Sequence, residues 1–291
     1  MKRVRLGRTD IEVSRLGIGT GTAHPSGYCV QSLMDENELA RLLIHAFEYG
    51  INFFDTAFQY RTYPHIRKAL KHISRSDIIL TTKLATVNEK ETIEQFNLSL
   101  DALNIDHFDI CLLHGVRTIK ELQKRSGALE TLLRFKKEGR IRAVGLSSHG
   151  FGALSSAADI PEIEIVWARI NFAGINMDSS PPGLYDRLAS VPTLKKMARV
   201  LPRKLMSAVR VASQSQPIAE HNRRDVENVL KKIHSRPKGV VGMKVIAEGK
   251  LRDDTERAIE YVKNLPVVDS LVIGMLSKKE IEENCRIIGE G

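Results

Sequence analysis

Residues 78–114, IILTTKLATVNEKETIEQFNLSLDALNIDHFDICLLH, hold the pattern on which the fold turns. Ile78–Thr82 opens it as a short, mostly apolar run that stops at Lys83. Thr92–Leu103 then places apolar residues at helical spacing, and Phe108–Leu113 is a second apolar run that stops at His114. Strand, helix, strand in under forty residues is the signature of a βαβ unit. Both runs are continuous rather than alternating, as expected of strands covered on both faces in a parallel sheet.

The same alternation continues outward. Strand-like runs fall at Arg15–Gly19, Ile51–Phe54, Ile141–Leu146, Glu164–Ile170, Val240–Val245 and Ser270–Ile273. Helix-like stretches separate them at Glu36–Tyr49, Ala128–Glu138, Asp225–His234, Asp254–Asn264 and Ser277–Ile287. The first of these places Leu39, Leu42, Leu43, Ala46 and Phe47 on one face and runs into Gly50, a C-cap residue. Eight strands with interleaved helices predict an α/β fold of the (β/α)8 TIM-barrel type. Pattern alone leaves a doubly wound open sheet as an alternative. The glycines of Gly17-x-Gly19-x-Gly21 have the wrong spacing for a dinucleotide fingerprint, with Thr22 where its last glycine belongs, which argues against that alternative. Residues around Leu6-Gly-Arg-Thr-Asp10 read as an N-terminal β-hairpin outside the repeat. The whole chain, 1–291, reads as one barrel domain. Residues 171–222 are too long for a bare loop and read as an excursion with one or two short helices on the catalytic side.

Composition narrows the class. The chain has 44 Lys and Arg against 35 Asp and Glu, a formal charge of +9. The basic residues are interleaved with Glu, as in Lys136-Lys-Glu138, without aromatic-studded basic strands. That describes a solvated basic surface and not a nucleic-acid site, though it favours anionic ligands. No run of eighteen apolar residues and no secretory leader are visible, so neither a membrane span nor export is expected. Cys29, Cys111 and Cys285 are odd in number and far apart, which suits reduced thiols in the cytoplasm.

Barrel enzymes work at the carboxyl ends of their strands. Read in order, those ends supply Gly19-Thr20, Asp55, Lys83, His114, Ser147-Ser148, Arg169 or Asn171, Lys244 and Gly274. Each has an ordinary structural reading alone. Asp55 can be an N-cap, Lys83 a solvated strand end, His114 a satisfied core histidine, and Tyr60 a packed aromatic. Three ionisable residues after three consecutive strands are harder to explain that way. His149 reads as structural.

Five motifs in order resemble the aldo-keto reductase family. They are Gly50-Ile-Asn-Phe-Phe-Asp-Thr-Ala-Phe-Gln-Tyr60, Thr81-Thr-Lys83, Asp109-Ile-Cys-Leu-Leu-His114, Arg142-Ala-Val-Gly-Leu-Ser-Ser148 and Ser277–Asn284. The opening Leu6–Thr20 is similar to that family's hairpin and first strand. The resemblance implies NAD(P)H-dependent reduction of a small aldehyde or ketone, with no metal. In it Tyr60 is the general acid, Lys83 lowers its pKa, Asp55 anchors Lys83, and neutral His114 orients the carbonyl. It further implies cofactor contacts from Gly19, Thr20, Ser147, Ser148, Met243, Lys244, Ser277, Lys278, Glu283 and Asn284, and NADP(H) ahead of NAD(H).

The chain also departs from the family. Trp167 stands where a glutamine usually meets the nicotinamide, Ser148 where asparagine is common, and Met243 where an aromatic stacks. Glu280 occupies a place often basic in NADPH-preferring members. These departures keep a nucleotide-binding regulatory protein with little turnover as an alternative. A metal-dependent barrel hydrolase built on Asp55, His114 and His149 is a further one.

Overall fold

The computed structural model describes residues 1–24, 28–177 and 222–289. Strands β1 (Arg3–Arg5) and β2 (Glu12–Ser14) form the antiparallel hairpin expected at the N-terminus. Eight parallel strands then close a barrel in chain order: β3 (Leu16–Gly19), β4 (Phe53–Asp55), β5 (Ile79–Leu84), β6 (Phe108–Leu113), β7 (Ile141–Ser148), β8 (Ile165–Arg169), β9 (Gly239–Met243) and β10 (Ser270–Gly274). The ring is completed by β10 pairing with β3, Leu271 opposite Leu16 and Gly274 opposite Gly19. The TIM-barrel reading holds, and the open sheet is excluded.

Helices cover the outside. They are α1 (Glu36–Glu48), α2 (Tyr63–Ala69), α3 (Glu89–Leu103), α4 (Ile119–Lys124), α5 (Ser126–Lys137), α6 (Phe151–Ala157), α7 (Arg223–Ser235), α8 (Thr255–Lys263) and α9 (Lys278–Gly289) among the described residues. Their ends follow local chemistry. Asp35 caps α1 by accepting from Asn37 N at 2.9 Å and Glu38 N at 3.2 Å. Gly50, at φ 87°, takes the left-handed turn that stops it. Asn88 accepts from Glu91 N at 3.0 Å, so α3 begins three residues before its apolar period does. The excursion begins inside the described residues at Asn171, whose amide bonds Ile175 N and O at 2.9 Å each. The helices expected in its remainder lie outside the described residues.

Alternation sorts the strand side chains into two cores. Outward residues such as Leu80, Cys111, Leu113, Val144 and Val166 pack against the helices. Inward Phe53, Ile79, Ile110, Leu112, Ala143, Ile165 and Trp167 fill the barrel. Leu6, Ile11 and Val13 of the hairpin, all fully buried, join that inner cluster. Each such side chain contributes roughly 1.5–3 kcal/mol of burial. The hairpin therefore plugs the amino-terminal end, which leaves the carboxyl ends as the accessible mouth. Among the described residues no helix is long and apolar enough to cross a membrane.

Candidate active site

Asp55 ends β4 and points into the barrel two residues after Phe53; its ladder partners are Gly19 on β3 and Thr81 on β5. Lys83 lies on the inner face of β5, again two residues beyond Thr81. The sequence reading ends this strand at Thr82. Here it runs to Leu84, because the barrel interior accepts a lysine that has a partner. Lys83 Nζ donates to Asp55 Oδ1 at 2.5 Å and to Thr56 O at 2.9 Å. Both side chains are nearly inaccessible. Burial pushes the Asp55 carboxyl up and the Lys83 ammonium down, and in each the partner's charge opposes the shift.

Tyr60 ends a single 3-10 turn, Phe58–Tyr60, which Arg61 closes in the left-handed region at φ 58°. The Lys83 ammonium lies 5.1 Å from the centre of the Tyr60 ring. Beside that ring stands Gly21, where a Cβ would fall 2.3 Å from Tyr60 Cε2. The third glycine of the run thus has a reason unrelated to phosphate: it lets backbone lie flat against the phenol.

His114 directly follows β6, held by its backbone N–H to Leu84 O and by Arg125 Nη1 to its carbonyl, both at 2.8 Å. Its ring meets Tyr60 edge-on, with centroids 5.6 Å apart and planes at 82°. Nδ1 lies 2.9 Å from Gln59 Oε1. Burial, then the positive charges of Lys83, Arg125 and Lys244, lower the His114 pKa to about 3. The imidazole is neutral. With Oε1 facing it, the ring proton sits on Nδ1. Turning the Gln59 amide over moves it to Nε2, the tautomer that can donate to a substrate oxygen.

The phenol of Tyr60 is raised well above its ordinary value, by burial first and then by the charges of Asp55 and Cys29. Lys83, whose ammonium also donates to Asp55 and Thr56, lies 5.1 Å from the ring centre and does not offset that burial.

The residues expected to hold a cofactor are distributed unequally. Gly19 lies beside Val272 at the mouth, but Thr20 is fully buried and its hydroxyl bonds Thr62 Oγ1 at 2.9 Å and Asp55 O at 3.2 Å. Ser147 faces inward and accepts from Gly115 N at 2.9 Å. Ser148 alternates to the other side, where its hydroxyl closes a turn with Gly150 N at 3.0 Å and Gly150 O at 2.9 Å. Met243 forms the top of the inner cluster, 9% exposed. Lys244 follows at φ 58° and pairs with Glu248 at 3.2 Å.

Farther out, Ser277 Oγ accepts from Glu280 N at 3.2 Å, and the Glu280 carboxylate returns to Leu276 N at 2.6 Å. Lys278 is exposed, Glu283 pairs with Lys279 at 3.6 Å, and Asn284 is buried at 4% exposure. Trp167 is not at the mouth. It is wholly inaccessible below it, edge-on to Phe53 with centroids 5.7 Å apart.

Two groups escaped the sequence reading. Gln59 is one. The other is a charged cluster in which Arg169 Nε donates to His149 Nδ1 at 3.1 Å and Nη2 lies 3.3 Å from Glu248 Oε1. Burial and the charges of Arg169 and Lys244 hold His149 far below its usual pKa. Arg169 was legible as an inward strand end, but Glu248 was not. Among the described residues no three His, Cys, Asp or Glu side chains are grouped to hold a metal.

Comparison with known proteins agrees with this architecture. The sequence model of the Aldo/keto reductase family matches residues 15–289. The L-galactose dehydrogenase of Arabidopsis thaliana is 25% identical over 98% of this chain and 87% of its own. The NADH-specific methylglyoxal reductase of Escherichia coli K12 is 27% identical, the match spanning 62% of each chain. An aldo-keto reductase from Bacillus halodurans in its holo form superposes with a TM-score of 0.69 at 21% identity, covering 100% of this chain and 91% of that one. At that identity the likeness is one of fold.

Proposed function

The chain belongs to the aldo/keto reductase family, and on that premise we propose that it reduces a small aldehyde or ketone to an alcohol with NAD(P)H, Tyr60 acting as general acid. The observation that supports this most is the buried Lys83–Asp55 pair at 2.5 Å, with Lys83 against the Tyr60 ring and His114 edge-on to it. Four ionisable groups inside a protein need a reason, since unpaired burial of any of them is costly.

When bound, NAD(P)H supplies the hydride. Gly19, Ser147, Met243 and Lys244 would hold its nicotinamide and phosphate portions, and Ser277, Lys278, Glu283 and Asn284 its adenosine end. The inward Ser147 hydroxyl, the polarisable thioether of Met243 and the Lys244 ammonium fit such a group in polarity and charge. Lys278, together with a Glu280 turned to cap its own helix, favours NADP(H) over NAD(H).

The chain's own residues manage the proton. A carbonyl that receives hydride becomes an alkoxide, a much stronger base than a phenolate. Tyr60 can therefore donate its proton even with its pKa raised, and that high value keeps the donor protonated at every working pH. Lys83, 5.1 Å from the ring centre, stabilises the phenolate that remains. Asp55 keeps Lys83 in place, and His114 orients the oxygen through the Nε2–H tautomer. The +9 charge is assigned to surface solvation, and the compartment to the cytoplasm.

The inaccessible Trp167 and the turned-away Ser148 favour a second reading, nucleotide binding with little turnover. Absorbance at the nicotinamide band with a panel of aldehydes, using NADPH and NADH in turn, separates the two. Turnover should appear and should fall about a thousandfold in Tyr60→Phe while cofactor binding persists. Equal rates in that variant would remove Tyr60 from its role.

A further inference from the structure

Trp167 is the only tryptophan in the chain, it has no access to solvent, and its indole Nε1–H has no hydrogen-bond partner among the described residues. A buried indole donor left unmatched is uncommon and costs free energy. A second orphan lies in the same interior, the Thr81 hydroxyl, also fully buried. Thr81 is the ladder partner of Asp55, both facing inward. Trp167 packs edge-on against Phe53, which precedes Asp55 by two residues on the same inner face. Two unmatched polar groups thus flank a carboxylate whose Oδ1 is taken by Lys83. The indole N–H lies close enough to Asp55 to favour its ionised form without reaching full hydrogen-bond geometry.

We propose that Trp167 is a positioning residue of the active site, its indole N–H serving with the Thr81 hydroxyl as the second support that holds the Asp55 carboxylate against Lys83. This deepens the reductase reading and rests on it for its catalytic consequence. The tryptophan that departs from the family's expected glutamine is then a donor redirected from the cofactor side to the floor of the site. Around Asp55 the charged and titratable groups are Lys83 on β5, Tyr60 on the turn after β4 and Lys244 after β9. Of these Lys83 alone bonds the carboxylate directly, so loss of the indole donor should raise the pH at which the pair loses its charge.

Trp167→Phe keeps an aromatic ring and removes the N–H, and Thr81→Val removes the hydroxyl at constant shape. Each should lower kcat about tenfold, leave KM within about twofold, and move the acid limb of the kcat–pH profile to higher pH. A wild-type kcat and pH profile in both variants, with only a lower melting temperature, would overturn the proposal. A second measurement needs no turnover. With uniform 15N labelling the full chain gives one indole resonance. That proton should lie downfield, exchange slowly, and shift upfield in Asp55→Asn and on acidification of the wild type. An indole resonance indifferent to both perturbations also overturns it. If no carbonyl is turned over but the resonance follows Asp55, the reductase reading fails and the positioning contact stands.

Discussion

The two ends of the barrel are built by opposite rules. At the amino-terminal end Leu6, Ile11 and Val13 seal the interior. Asp109 there satisfies both carboxylate oxygens, with Arg142 at 2.7 Å, Arg75 at 2.8 Å and Leu80 N at 2.9 Å. At the carboxyl end an equally buried acid, Asp55, has one lysine, and two unmatched polar atoms stand nearby. Lys244, Ala247 and Glu248 there all take left-handed backbone without being glycine. Such conformations cost of order 1 kcal/mol or more each and persist where surrounding structure imposes them. One end minimises free energy, and the other holds costly groups where chemistry can use them.

The sharpest break of this contrast is Lys83→Met. It removes the cation beside Tyr60 and leaves Asp55 buried alone, where the carboxyl protonates. Activity should fall about a thousandfold or more. Melting should change less than that loss suggests, because a protonated acid is cheaper to bury than a lone charge. A variant retaining a tenth of the wild-type rate would show that Lys83 is only structural. Gly21→Ala comes next. Its new methyl would sit 2.3 Å from the Tyr60 ring, so the ring must move. A displacement near 1 Å costs roughly a hundredfold in rate, read as kcat with KM little changed.

The closed end should answer in the other currency. Asp109→Asn leaves Arg75 and Arg142 without their shared carboxylate. With both arginines partly exposed, stability should drop by about 2 kcal/mol, or roughly 5 °C in melting temperature. The rate per folded molecule should be unaltered. A large kcat effect with unchanged melting would mean that the two ends are not independent.

What could be read from sequence follows the same division. Continuous apolar runs are long-range evidence, and all eight barrel strands lie within a few residues of their expected places. The short helices α2, α4 and α6 are not legible in the sequence, since six or seven residues make fewer than two helical turns, too few for an apolar face to repeat. Asp55, Lys83 and His114 were legible because a polar residue ending an apolar run is conspicuous. Alternation, applied strictly, would have separated inward Ser147 from Ser148. Nothing local marked Glu248, since its position depends on left-handed backbone at residues that are not glycine. Trp167 stands in sequence where a cofactor contact is expected, whereas it is wholly buried in the inner cluster.

Gln59 is the subtlest case, and its expected effect is the smallest. Its amide faces Nδ1 of a histidine that is neutral at working pH. Gln59→Leu removes the group that selects between the two neutral tautomers. The remaining ring still samples both, so kcat/KM should fall only about threefold, near the worth of a single neutral hydrogen bond. The pH behaviour tests the premise. With His114 at about 3, the kcat/KM profile should carry no limb from this residue between pH 5 and 8. The sign for stability follows from the same shift. An unfolded histidine near 6.5 binds a proton that the folded one refuses until about pH 3. Stability is therefore flat with respect to His114 above pH 6.5 and declines as the pH falls from there towards 3. His114→Asn should flatten that decline. A limb near pH 6.5 that vanishes in this variant would instead mean a protonatable imidazole, and the mouth would be far wetter than its burial of Asp55 and Lys83 implies.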